Sequence, residues 1–348
     1  MIASTVRQSE QFSRSYTPAK INGDFRGKHI VTVEQFAHAD LQILFEDALD
    51  LRERVRAGDR SVLELCAGKV MATLFYEAST RTDMSFQAAM QRLGGGVIAT
   101  SGGVQFSSVY KGENLADTVR AAACYADVIV LRHPEVGSSY EAAFYLDKLS
   151  NHLGRRTVVV SGGDGIGEHP TQALLDLFTI VDLEQSIDNL RITMVGDLRY
   201  GRTVHSLSKL IAQYEAYGTS LRFVSPPALR MPAEILSFLK ARGIETYETE
   251  DLQEVIGDSD VIYWTRIQQE RFTDPAEYEA IANRFVMTPR LLAQAKEDAV
   301  LMHPLPRKHE MGTTEDHDVL DADPRSMYFR QMENGMFVRM ALIAKVLA

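Results

Sequence analysis

From Lys69 onward, short apolar runs recur along the chain, separated by segments in which apolar residues return every three or four positions. A short apolar run bounded by turn residues reads as a buried strand, and the wider spacing reads as an amphipathic helix. Val70–Phe75 is the first such strand, followed by a helix from about Thr82 to Leu93 that Gly94-Gly95-Gly96 stops. Strand-like runs follow at Val97–Ala99, Asp127–Leu131, Thr157–Val160, Ile192–Val195, Leu221–Val224, Val261–Trp264 and Ala299–Met302. Helical patterns lie between many of them, notably Glu113–Ala126, Thr171–Val181 and Thr203–Tyr214, and Ser326–Leu347 is helix-like too. Strands alternating with helices predict an α/β fold with parallel sheets covered on both faces. No internal repeat or low-complexity segment interrupts the pattern.

The chain has 348 residues, and at roughly 100–200 residues per domain that predicts two domains. A boundary near residues 150–170 splits it into two α/β halves. The net charge of −10 argues against general nucleic-acid binding, which wants a basic surface. It leaves room for an anionic substrate, which needs only a local cluster of cations. No stretch approaches the roughly 20 apolar residues that span a bilayer. The N-terminus lacks a basic region followed by an apolar core, so a secretory signal is not expected. Residues 1–20 hold Ser, Arg and Lys with a single acid, Glu10. They are expected to form a frayed, solvent-exposed arm rather than a weak targeting segment. Cys66 and Cys124 have neither metal-ligand spacing nor a disulfide framework, which suggests a reducing, cytoplasmic setting and no metal.

Several predicted strands end in a loop that carries a cation or an amide side chain. Arg81 follows the first strand, and Arg132-His133 follow Leu131. His169 and Gln172 follow Val160, Arg202 follows Val195, Arg266 and Gln268 follow Trp264, and His303 with Arg307 follow Met302. Open α/β sheets bind ligands outside the carboxyl ends of their strands, so this repetition points to an anion site. Polar loops are ordinary, but ordinary loops mix their charges. In Phe75-Tyr76-Glu77-Ala78-Ser79-Thr80-Arg81-Thr82 a strand turns into a helix. The helix N-terminus offers unpaired N–H groups, the three hydroxyls add donors, and Arg81 adds a fork suited to phosphate oxygens. A simple helix cap is the plainer alternative. No GxxxxGK[ST] is present and no GxGxxG follows a strand, which disfavours a nucleotide loop and a dehydrogenase.

Ser79-Thr80-Arg81-Thr82 resembles the carbamoyl-phosphate signature of the aspartate and ornithine carbamoyltransferases. The resemblance runs from about Phe25 to the C-terminus and rests on further motifs in order. These are Lys111-Gly112-Glu113, Arg132-His133-Pro134, the run from His169 to Asp176, the run from Gly196 to Ser206, and His303-Pro304-Leu305-Pro306-Arg307. It implies two doubly wound domains with the active site in the cleft between them. Residues 1–165 would bind carbamoyl phosphate, with 326–348 packing back on them, and 166–325 would bind the amino acid. Ser79, Thr80, Arg81 and Thr82 would hold the phosphate. Arg132, His169 and Thr82 would meet the carbamoyl oxygen, and Gln172 with the carbonyls of Leu305 and Pro306 would bind the carbamoyl NH2. Arg202, Arg266 and Gln268, with Thr203 nearby, would take the two carboxylates of aspartate.

Arg266-Ile267-Gln268 favours the aspartate side of the family, because two arginines would repel the cationic side chain of ornithine. Pro304 stands where the ornithine enzymes carry Cys, and their Ser-Met-Gly element is missing. The resemblance further implies a homotrimer in which Ser107 and Lys111 reach a neighbour's site, with separate regulatory chains an open question. Glu77 would meet Arg202 and Arg271 when the halves close. Two departures from relatives are Tyr110 and Asp83, where some members carry Lys and Arg. The implied reaction is direct attack of the aspartate amine on carbamoyl phosphate, with no cofactor and no metal, in pyrimidine biosynthesis. A scaffold that had lost activity would be expected to have lost members of the cationic set, and all of them are present.

Overall fold

The computed structural model describes residues 6–100, 112–268 and 275–348. Two compact units appear: the residues up to Leu174 together with Asn334–Ala348, and Leu175–Glu333. Both divisions fall inside continuous helices, Pro170–Glu184 and Tyr328–Leu347, nine residues beyond 165 and eight beyond 326.

In the first unit, β1 (Val70–Phe75), β2 (Gly96–Ala99), β3 (Val128–His133) and β4 (Val158–Asp164) form one parallel sheet in the order β2-β1-β3-β4. Every residue of β4, and all of β3 but His133, is buried. Burial on both faces is why these strands read as continuous apolar runs rather than as alternating ones. Ala72, Leu74, Ile129, Leu131 and Val159 of this sheet pack against Val119 and Ala123 of helix Leu115–Ala123 and Ala142 and Leu146 of helix Ser138–Leu153. The N-terminus corrects the expected frayed arm. Val6–Ser15 is a helix. Phe12 stacks on Phe144 with ring centroids 5.2 Å apart, and the Tyr16 hydroxyl donates to Asp147 at 2.6 Å. Phe12 and Tyr16 give that segment apolar surface to bury, which the polar composition around them obscured.

In the second unit, β5 (Arg191–Val195), β6 (Ser220–Val224), β7 (Glu245–Thr249), β8 (Val261–Trp264) and β9 (Val300–Met302) form a parallel sheet ordered β7-β6-β5-β8-β9. Val195, Val224, Ile262, Trp264 and Leu301 pack on one core with Phe285, Met287, Leu292, Leu320 and Tyr328. β7 was not anticipated from the sequence. It is an edge strand, Glu-Thr-Tyr-Glu-Thr, with no buried residue, so it has no apolar run to announce it.

Strand order fixes where each unit can bind. From β1 the chain moves to one side for β2, then to the other side of β1 for β3 and β4. From β5 it moves one way for β6 and β7, then back past β5 for β8 and β9. Loops leaving neighbouring strands in opposite directions open a crevice at their carboxyl ends. The crevices therefore lie at the ends of β1 and β3 in the first unit, and of β5 and β8 in the second.

Candidate active site

At the end of β1, Ser79 heads the helix Thr80–Arg92 but makes no side-chain cap bond. The hydroxyl is thus not spent on the helix, which disfavours the plain capping alternative. Arg81 is exposed beside it and Thr82 is buried. Thr82 Oγ1 lies 3.5 Å from His169 Nε2, so the β1 loop and the segment after β4 meet at these two side chains. His169 is 4% exposed, and its carbonyl accepts the backbone N–H of Gln172 and Ala173 as the next helix begins. The loop leading to it is tied down by Asp164, which accepts the N–H of Gly137 at 3.0 Å and of Glu168 at 2.7 Å.

Arg132 leaves the end of β3 where the register with β4 shifts between Leu131 and His133. Such irregularities bend a strand and re-aim one side chain. Its guanidinium donates to the Gly162 carbonyl at 3.0 Å and pairs with Glu77 Oε2 at 3.0 Å, with the arginine side chain 9% exposed. A buried cation held by a carbonyl and one carboxylate keeps its charge, and an arriving anion can displace the carboxylate. His133, next along, accepts the Glu135 N–H on Nδ1 and lies edge-on to Tyr76. Burial pushes its pKa down to about 4, against a weaker upward pull from the Glu77 carboxylate. It is neutral at neutral pH and is not part of the cationic set.

In the second unit, Gly196 follows β5 at φ +117, where a Cβ would lie 2.2 Å from the Thr265 carbonyl oxygen. Glycine there lets the loops after β5 and β8 approach closely. Arg202 and Thr203 open the helix Arg202–Gln213, and Arg266 and Gln268 follow β8, all of them half-buried. Gln268 Nε2 donates to the Tyr200 carbonyl at 3.3 Å, joining the two loops. After β9, Leu305 has φ +51 and the Leu305–Pro306 bond is cis. A leucine in the left-handed region is strained, and such strain collects at functional turns.

Not every cation at a strand end faces a ligand. Arg307 forms a forked pair with Asp321, its Nη2 donating at 2.7 Å, and Nη1 also donates to Tyr328 at 3.1 Å. His303 is 1% exposed, its Nδ1 accepts the Leu305 N–H at 2.8 Å, and its Nε2 lies 3.2 Å from Glu310. Both build the turn rather than line it. The expected Glu77 partners include Arg271, which lies outside the described residues, as do Ser107, Tyr110 and Lys111. Tyr263 and Gln331 were not singled out from sequence, and Asp176 was named only as the end of the His169–Asp176 motif, yet the three form a buried polar network behind the second crevice. Besides that motif, the sequence signal was an acid, Asp176, within a largely apolar helical run. Among the described residues no group of three His, Cys, Asp or Glu side chains gathers to hold a metal ion.

Residues 28–182 match the carbamoyl-phosphate-binding domain of the aspartate/ornithine carbamoyltransferases, and residues 188–346 match their aspartate/ornithine-binding domain. The chain is 50% identical over 323 residues to the multifunctional protein CAD of Squalus acanthias, covering 93% of this chain and 14% of that protein. It thus spans only a small part of the multifunctional relatives it matches. It is 45% identical to the aspartate carbamoyltransferase catalytic subunit of Methanosarcina acetivorans, covering 92% of this chain and 97% of that one. Among solved structures, it is similar to aspartate transcarbamoylase from Trypanosoma cruzi in complex with carbamoyl phosphate and aspartate. That match has a TM-score of 0.83 and 40% identity, and covers 94% of this chain and 98% of that one.

Proposed function

The chain belongs to the aspartate/ornithine carbamoyltransferase family, and on that premise we propose that it transfers the carbamoyl group of carbamoyl phosphate to the amino group of L-aspartate. The products are N-carbamoyl-L-aspartate, which enters pyrimidine synthesis, and phosphate. The observation that carries this reading is the set of donors around the end of β1: a Ser79 hydroxyl not spent on capping, and Thr82 Oγ1 within 3.5 Å of His169 Nε2.

In this reading Ser79, Thr80, Arg81 and Thr82 bind the phosphate dianion. Arg132, His169 and Thr82 face the carbamoyl oxygen, where negative charge grows as the amine attacks; fixed donors there lower the barrier. Gln172 and the carbonyls of Leu305 and Pro306 orient the carbamoyl NH2. Arg202, Thr203, Arg266 and Gln268 hold the aspartate carboxylates. The neutral amine forms the N–C bond, a tetrahedral intermediate collapses, and the C–O bond to phosphate breaks. The amine proton leaves with the phosphate, so the step balances without a metal or cofactor. Before the substrate arrives, Glu77 neutralises Arg132, and the dianion takes its place.

The active assembly is a homotrimer in the cytoplasm, with Ser107 and Lys111 supplied to each site by a neighbouring chain. The net charge is −10, and no helix of the described residues is long and apolar enough to cross a bilayer. The nearest rival is a carbamoyltransferase for ornithine. Carbamoylation assayed with aspartate and ornithine side by side separates the two, and product from ornithine alone would overturn the assignment. Arg266→Ala adds a second check. It should raise the KM for aspartate on the order of 10-fold or more, as loss of a charged hydrogen-bond partner does, while calorimetry with carbamoyl phosphate changes little. Collapse of carbamoyl-phosphate affinity would place Arg266 on the other substrate.

A further inference from the structure

Behind the second crevice lies a polar network with no exposed member at its centre. Asp176, Tyr263 and Gln331 are each 0% exposed, and His303 is 1% exposed. One carboxylate oxygen of Asp176 accepts the Tyr263 hydroxyl at 2.7 Å. The other accepts Gln331 Nε2 at 2.6 Å. Burial and the Asp176 carboxylate push the pKa of the Tyr263 hydroxyl up, and the neighbouring Thr203 side chain pulls it down. Gln331 Oε1 accepts the backbone N–H of His303 at 3.1 Å, and His303 Nδ1 accepts that of Leu305 at 2.8 Å. Glu310 completes this arm. It lies 3.2 Å from His303 Nε2 and accepts the Lys308 N–H at 2.7 Å.

Burying a carboxylate is costly, and apolar side chains of the same volume often stabilise a core as well or better. Asp176 sits among Leu174, Leu175, Leu177 and Phe178, all 0–1% exposed, where an apolar residue would fit the helix pattern. What an apolar residue could not do is accept two hydrogen bonds in fixed directions. Those two bonds lead to different places. The Tyr263 arm ends beside Thr203, at the start of the helix that carries Arg202. The Gln331 arm ends on the turn holding Leu305, whose φ of +51 needs outside support.

We propose that Asp176 is the positioning residue of the second crevice, setting Thr203 through Tyr263 and the Leu305–Pro306 turn through Gln331 and His303. Asp176 touches neither substrate. It fixes, from one carboxylate, the group that meets aspartate and the carbonyls that meet the carbamoyl NH2. This rests on the functional reading for the meaning of Thr203, Leu305 and Pro306. The hydrogen-bond chain itself does not.

The test exchanges the carboxylate and the amide. In Asp176→Asn the new amide faces the amide of Gln331, and in Gln331→Glu two carboxylates face each other. The double variant restores the pairing with the roles reversed. The amide nitrogen introduced at position 176 donates to the carboxylate introduced at position 331. That carboxylate still accepts the His303 N–H, and the amide oxygen at position 176 still accepts from Tyr263. Each single variant should lose on the order of 10²-fold in kcat, the scale expected from misplacing a reacting group by about 1 Å. The double variant should recover most of it. Amide exchange across residues 301–308 should rise in each single variant and return in the double one. A double variant no better than the worse single, in rate and in exchange, overturns the proposal. If a single variant fails to fold, Tyr263→Phe decides. Removing one hydroxyl should raise the KM for aspartate several-fold and leave the affinity for carbamoyl phosphate alone unchanged; an unchanged aspartate KM overturns the proposal. A wild-type chain that does not carbamoylate aspartate brings down the functional reading instead, and the exchange data still decide the network.

Discussion

Arg132 and His133 are adjacent, basic in sequence, and opposite in consequence. Arg132 keeps its charge because a guanidinium does not lose its proton in a protein, and Glu77 and the Gly162 carbonyl hold it at 3.0 Å each. His133 loses its charge because burial outweighs the pull of Glu77. Arg132→Ala should therefore lower kcat on the order of 10²–10³-fold, the usual cost of one donor to a developing oxyanion. Near-wild-type turnover in a steady-state assay would remove Arg132 from the oxyanion. His133 makes a different prediction. Its folded pKa is about 4, below the unfolded value of 6.5. The unfolded chain thus binds the extra proton first as pH falls, and stability drains away between pH 6.5 and 4. His133→Asn retains an acceptor for the Glu135 N–H and cannot be protonated. Its melting temperature should fall less than that of the wild type over that window. Parallel curves would show that His133 is not buried neutral.

Strands were most legible where burial was nearly complete. Val70–Phe75 and Val261–Trp264 match the observed strands, because nearly every residue of each is buried, and Leu221–Val224 nearly matches although the half-buried Arg222 interrupts its apolar run. β7 was not legible, since an exposed edge needs no apolar pattern, and helix Val6–Ser15 was hidden by its polar residues. In the candidate site, the strand-end cations Arg81, Arg132, Arg202 and Arg266 could be read because loops at parallel strand ends are where such residues collect. Whether a cation faces a ligand or a neighbouring carboxylate depends on tertiary contacts. Asp321, which takes Arg307, is fourteen residues away, and Asp176 meets Tyr263 and Gln331 from much farther along the chain. The close approach of the β5 and β8 loops is one element-scale feature that the sequence does encode, in Gly196. Gly196→Ala should place a methyl 2.2 Å from the Thr265 carbonyl at φ +117. Strain of this kind costs on the order of 1–3 kcal/mol. Urea unfolding should report that loss, and the aspartate KM should rise as Arg202 and Arg266 shift. Unchanged stability and KM would mean that the loops can part without consequence.

At the scale of the whole molecule, the question is whether one chain makes one site. The loop from Ser107 to Lys111 is far in sequence from the strand ends that carry the other candidate residues, and it lies outside the described residues. In a trimer that shares its sites, Lys111 would supply an ammonium to a neighbour's bound dianion; a lysine suits that task because its compact charge needs no fixed fork geometry. Lys111→Ala and Arg132→Ala then damage different chains of the same site. Each variant alone should be nearly inactive. Mixed by dissociation and reassembly, the two parents form trimers in which some junctions join an intact Arg132 on one chain to an intact Lys111 on the next. Going round a ring of three, a mixed trimer has one such junction, whichever parent is in the majority. Activity should therefore reappear on mixing and follow the fraction of mixed trimers seen by native mass spectrometry. A site contained in a single chain has no route to this recovery, because every chain in the mixture lacks one of the two residues. Mixed trimers that form and stay inactive would leave each chain with a site of its own and would move Lys111 away from the chemistry.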